Sequence, residues 1–291
     1  MSAFRLPDET YASGVHLRVR DLGEVANFYE AALGLNPSRQ SDTGVSFGAP
    51  GEASEPFVTL TADATAVHRP RRATGLFHLA IRFPSRRDLA HALQRLVEHD
   101  YPLEGAAHHI VSEALYLSDP AGNGVELYAD LPRAQWKWRE GQIAMATEPL
   151  DLGRLLATSG AGRAPVQVPG GTDLGHIHLH VTDLTNAERF LHEFLGLDIT
   201  QRSYPGALFF SAGGYHHHIA ANTWGGASTP PPGSDGLISY RLSVPVHELL
   251  FTLKERARIF GYGTSTAETE TGEVLQIRDP DGFALEIASA R

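Results

Sequence analysis

The sequence predicts an α+β fold: four modules, each a strand, a helix and further strands, arranged as two halves. Three observations carry that expectation. An opening pattern occurs twice, as Gly14-Val15-His16-Leu17-Arg18-Val19-Arg20-Asp21-Leu22 and as Gly175-His176-Ile177-His178-Leu179-His180-Val181-Thr182-Asp183-Leu184. Each opening runs into a helix-like stretch that stops at Gly34-Leu35 or Gly196-Leu197. A closing pattern also recurs, as Asp119-Pro120-Ala121-Gly122-Asn123-Gly124-Val125-Glu126 and Asp279-Pro280-Asp281-Gly282-Phe283-Ala284-Leu285-Glu286. Repetition of this kind marks a duplicated structural unit, and a duplicated unit carries duplicated sites.

The elements follow in order. Val25, Phe28, Tyr29 and Ala32 recur at helical spacing between Gly23 and Leu33, and Gly34 is a natural stop. Val45–Phe47 and Phe57–Leu60 read as strands. The second module opens with the β-rich run Leu76–Phe83; Pro84-Ser85 then starts a helix that continues through Val97. Leu115–Ser118 and Val125–Tyr128 are its later strands. Leu131 to Gly170 reads as a connection, with a short helix around Leu150 to Thr158 and a segment Trp136-Lys137-Trp138 suited to a dimer contact or a lid. The third module starts at Leu174, with strands at Ala207–Phe210 and His218–Ala221. Gly225 to Gly236 is a Gly/Pro/Ser loop. The fourth starts at Leu237–Leu242, with a helix over Val246 to Ile259 and last strands around Gln276 and Glu286. The expected domains are residues 10–132 and 172–291, joined by a linker over 133–171.

Composition narrows the function. A chain of 291 residues is long enough for two cores, and a net charge of −10 without basic runs argues against nucleic acid and anionic membranes. No apolar run is long enough to span a bilayer, and the start lacks a signal-peptide core, which points to the cytoplasm. The chain has no cysteine, so a metal must sit on His, Asp or Glu; the 15 histidines are clustered.

These openings and closings resemble the vicinal oxygen chelate superfamily, whose fold is four βαβββ modules in two domains (the glyoxalase/bleomycin resistance/extradiol dioxygenase fold). Tyr215-His216-His217-His218-Ile219-Ala220 and Ser112-Glu113-Ala114-Leu115-Tyr116-Leu117-Ser118-Asp119-Pro120 resemble its catechol 2,3-dioxygenase branch more specifically. The resemblance implies a metal held by a first-strand His from each of two modules and a last-strand Glu from one. The ligand His stands seven residues before the motif Asp, giving His176 before Asp183 but Gly14 before Asp21. His16 then aligns with His178. The matching position is His78 in the second module and Ser239 in the fourth. Modules two and three together supply His78, Glu126 and His176, a two-histidine, one-carboxylate set of the kind that binds non-haem Fe(II), and Mn(II) suits the same ligands. A site in the C-terminal half using Glu286 is the other arrangement; in the first, Glu286 is a relic or a structural carboxylate.

The resemblance further implies an acid–base histidine at His217, with His218 the alternative register. Tyr116, ten residues before Glu126, would hydrogen-bond a substrate oxygen, and His109, next to His108, would add a second hydrogen bond. The fourth module has Gln276 in place of that tyrosine. Strand alternation puts His178 and His180 on the face of His176. The implied reaction is extradiol cleavage of a small aromatic diol by dioxygen, a step of aromatic hydrocarbon catabolism, in a chain able to form homo-oligomers. Two other readings remain open. One is a glyoxalase-like isomerase or epimerase, which needs a second carboxylate. The other is a metal-free protein that holds an aromatic drug between Phe209, Phe210, Tyr215 and Trp224.

Overall fold

A computed structural model describes residues 4–51, 54–70, 72–226, 228–269 and 272–290. Residues 1–3 of the leading segment and Ala227 of the Gly225–Gly236 loop lie outside the described residues. The first module comprises β1 (Tyr11–Val19), α1 (Leu22–Asn27), β2 (Asn36–Ser41), β3 (Gly44–Gly48) and β4 (Val58–Ala62). The second comprises β5 (Gly75–Phe83), α2 (Arg86–Glu98), β6 (Gly105–His108), β7 (Ser112–Ser118) and β8 (Gly124–Asp130). Between the halves run the short strands β9 (Trp138–Arg139), β10 (Gln142–Ile143) and β11 (Glu148–Pro149), then α3 (Leu152–Leu156). The third module has β12 (Asp173–His180), α4 (Leu184–Glu188), β13 (Asp198–Gln201), β14 (Ala207–Ser211) and β15 (Ile219–Asn222). The fourth has β16 (Gly236–Val244), α5 (Glu248–Phe260), β17 (Thr264–Thr269), β18 (Gly272–Arg278) and β19 (Ala284–Ser289). The α+β fold of βαβββ modules expected from the repeats is the fold observed.

The chain forms two compact units that interleave along the sequence. One contains Met1–His16, Val67–Phe77 and His176–Arg291; the other contains Leu17–Ala66 and His78–Gly175. In the second of these, β2, β3 and β4 are antiparallel neighbours, and β5 pairs in parallel with β8, beyond which β7, β6 and β11 continue antiparallel. In the first, β12 pairs in parallel with β15, followed by β14 and β13, and β16 pairs in parallel with β19, followed by β18 and β17. The parallel pair is what positions the site. It sets the first strand of a module against its last, so residues of the opening face residues of the closing.

The aspartates of the opening motifs are helix caps. Asp21 accepts the Glu24 N–H at 2.9 Å and Asp183 accepts the Asn186 N–H at 2.8 Å, satisfying donors that a helix start leaves exposed. The helix expected over residues 23–33 changes character midway. It is α-helical to Asn27 and then widens into a π-turn over Phe28–Ala32, with Leu33 N–H donating to Phe28 O. The same happens over Arg189–Phe194, where Leu195 N–H donates to Phe190 O. An arginine binds the end of each turn, buried in the first case and partly exposed in the second. Arg95 donates to Ala32 O, Leu33 O and Pro165 O, and Arg256 donates to Phe194 O and Glu193 O. Burial pulls the Arg95 guanidinium down to about 10. Gly34 and Gly196 follow at φ of +76° and +83°, a left-handed conformation natural to glycine.

The closing turns also share one device. Asp119 accepts the Asn123 backbone and side-chain N–H groups and the Tyr29 hydroxyl; Asp279 accepts the Asp281 and Phe283 N–H groups and the Tyr240 hydroxyl. Each carboxyl is buried, and burial outweighs these hydrogen bonds, raising Asp119 to about 6 and Asp279 to about 7 from an ordinary value of 3.8. The folded state therefore binds more protons than the unfolded chain between about pH 4 and 7. The contribution of these groups is full below that window and is lost as pH rises through it. Thermal denaturation from pH 5 to pH 8 should show this slope in the wild type and a shallower one in Asp279→Asn. Equal slopes would rule the assignment out.

Candidate functional site

On the parallel pair β5/β8, His78 lies opposite Gly124 and Ala80 opposite Glu126. Residues two apart on a strand share a face, so His78 and Ala80 point the same way. Ala80 offers the carboxylate no partner, and Glu126 Oε2 stands 3.0 Å from His78 Nε2. Both side chains are buried, at 6% and 3% exposure. Ala80 packs with Ala114 and Tyr128, and Tyr116 lies against that cluster, paired with Glu126 across β7/β8.

Tyr116 is backed by His109. The phenol oxygen is 2.6 Å from His109 Nε2, and His109 Nδ1 is 2.9 Å from the carbonyl of Ala146. A carbonyl only accepts, so Nδ1 carries the proton, and in the neutral ring Nε2 accepts from the Tyr116 hydroxyl. Neighbouring His108 is placed differently. Its Nδ1 accepts the Ile110 N–H and lies 3.8 Å from Glu148.

The fourth module occupies the same register with other residues. On β16/β19, Ser239 lies opposite Ala284 and Arg241 opposite Glu286. Arg241 grips Glu286 Oε2 through Nε at 3.1 Å and Nη2 at 2.8 Å, and Gln276 donates to Oε1 at 3.4 Å. Both carboxylate oxygens of Glu286 are thus engaged by side chains of its own module. The residue that decides this, Arg241, carries no motif and was not singled out by sequence reasoning. Its signal is positional: it stands two residues after Ser239, as Ala80 stands two after His78.

The unit that contains His176–Arg291 gathers other histidines. His176, His216 and His217 are buried, and each offers a ring nitrogen, all within 4.8 Å of one another. The His217 ring is 4.1 Å from that of His176 and 5.0 Å from Phe209. His218 faces elsewhere: its Nδ1 accepts the Ala212 N–H and meets Ser211 Oγ, and Tyr215 stacks on its ring. Of the two registers, it is His217 that lies beside His176.

His178 and His180 share the buried face but are tied by one residue the sequence reading missed. Asn222 Nδ2 donates to His178 Nε2 at 2.9 Å, and Asn222 Oδ1 accepts from His180 Nδ1 at 2.7 Å and from the Trp224 N–H. Phe77 packs on both rings, and Trp224 on His178. Among the proposed aromatic walls, Phe209 and Trp224 meet these histidines, whereas Phe210 is wholly within the core.

Gly175, just before His176, is required by packing. A Cβ there would stand 1.7 Å from Tyr128 Oη and 3.0 Å from Arg82 Cβ. Gly175→Ala should cost about 1–3 kcal/mol by overpacking, measured by denaturant unfolding. An unchanged midpoint would contradict the packing argument.

The chain is similar to known proteins along most of its length. Residues 12–127 match the family described as Glyoxalase/Bleomycin resistance protein/Dioxygenase superfamily. The chain is 40% identical over 279 residues to a Bacillus subtilis (strain 168) protein named catechol-2,3-dioxygenase, covering 94% of this chain and 95% of that one. A provisionally named dioxygenase of Bacillus subtilis superposes with a TM-score of 0.68 at 15% identity, over 99% of this chain and 86% of that one. Glyoxalase I from Zea mays gives 0.60 at 13% identity, over 97% and 92%. These last two likenesses show a shared fold.

Proposed function

Because the chain belongs to the glyoxalase/bleomycin resistance/dioxygenase superfamily and is an enzyme of its catechol 2,3-dioxygenase-like branch, we propose that it cleaves the ring of a small aromatic diol with dioxygen, using a non-haem Fe(II) held by His78, Glu126 and His176. The observation that carries this reading is the buried pair of His78 and Glu126 at 3.0 Å. Two adjacent ligands about 2.1 Å from an octahedral metal stand about 3.0 Å apart. The donor set of imidazole and carboxylate suits Fe(II), and equally Mn(II). An isomerase site would call for a second carboxylate, and Arg241 already occupies Glu286.

A metal held by His78, Glu126 and His176 would supply Lewis-acid chemistry, lowering the pKa of a diol hydroxyl. The protein's own groups handle protons and orientation. His217 Nδ1 is 2.8 Å from His216 Nδ1, so the proton-transfer role falls to Nε2, which accepts a substrate hydroxyl proton and returns it after the ring has opened. The Tyr116 hydroxyl donates its hydrogen bond to His109, which leaves the phenol oxygen to accept from a substrate hydroxyl and hold that group in place. The Ala146 carbonyl fixes the His109 tautomer that makes this possible.

Oxygen uptake with a panel of catechols, read together with the absorbance of the ring-opened semialdehyde, tests the reaction; turnover of no diol in the iron-loaded protein would end the proposal. Glu126→Gln should lower iron content by about tenfold or more, on the scale of losing a metal-site carboxylate, while Glu286→Gln leaves it near wild type. The reverse pattern would move the site to the C-terminal half. His217→Phe should keep the iron and slow turnover by about two orders of magnitude. Wild-type turnover in that variant would remove the role.

A further inference from the structure

The geometry points to a second metal set, made of His176, His216 and His217, that takes Zn(II) and switches the enzyme off. The three imidazoles are buried in one unit, with one ring nitrogen of each inside a 4.8 Å group. The loop that carries two of them is pinned at several points. Thr200 Oγ1 donates to His216 O at 2.6 Å, Tyr215 packs 4.1 Å from the His216 ring, and His218 anchors the next residue through Ala212 and Ser211. His216 and His217 face each other through their Nδ1 atoms at 2.8 Å, so one nitrogen holds a proton and the other a lone pair.

A zinc ion with bonds of about 2.0–2.1 Å needs nitrogens about 3.3 Å apart, so this pair opens by about half an ångström to admit it. Both Nδ1 atoms then present lone pairs, and the displaced proton moves to the Nε2 of the same ring, with no net proton lost. Three neutral nitrogens without a carboxylate favour zinc over iron or manganese and leave a fourth position for water. The regulatory consequence rests on the dioxygenase reading. Zinc here would engage the proton-transfer residue His217 and one ligand of the iron set, His176, together.

The test uses zinc chloride and metal analysis. Glu126→Gln, which lacks the carboxylate of the iron set, should still bind one zinc per chain, and adding His216→Asn should weaken that binding by about tenfold or more. Equal zinc affinity in the single and double variants would overturn the proposal. Zinc-edge X-ray absorption of the wild type decides independently of how the variants fold: three imidazoles support the assignment, and a shell containing a carboxylate overturns it. Zinc uptake that follows this pattern in a protein that cleaves no diol would fail the dioxygenase reading alone.

Discussion

A carboxylate buried on the last strand of a module needs a partner, because desolvating an unpaired charge costs several kcal/mol. The residue across the parallel strand pair determines what that partner is. Opposite Glu126 stands Ala80, a methyl group, and the carboxylate turns to the imidazole of His78. Opposite Glu286 stands Arg241, and a two-pronged ion pair holds the carboxylate. One backbone register, filled two ways, separates a position that suits a metal from one that holds a sheet together.

The small residue has a second effect. Ala80 leaves space for Tyr128, whose ring packs with Ala114 and supports Tyr116. Tyr116 is in turn oriented by His109, and His109 by the carbonyl of Ala146. The chain of support runs from a strand methyl to a phenol hydroxyl, through packing and hydrogen bonds.

Much of this was legible from residues alone, for identifiable reasons. The motif aspartates are local devices, two caps and two turns, so their spacing survives in the sequence of both halves. Tyr116 and Glu126 stand at fixed offsets from the closing turn, whereas His78 was named by the family resemblance. The strands β2 and β17 were not foreseen, because they are polar and largely exposed and lack the alternation of a half-buried strand. The π-turns were hidden for a different reason: the arginines that bind their ends lie 62 and 63 residues away along the chain. Arg241 and Asn222 were missed because their roles are set by a neighbouring strand, and no local pattern records that.

Asn222 serves as a small logic element. Its amide cannot be turned end for end without setting its oxygen against the His178 lone pair and its NH2 against the donating His180 nitrogen and the Trp224 amide. Three side chains therefore hold a single joint state of tautomer and orientation. Substitutions among them should be non-additive, so relatives of this chain would be expected to exchange the three together, and a library that varies only one would sample mostly broken combinations.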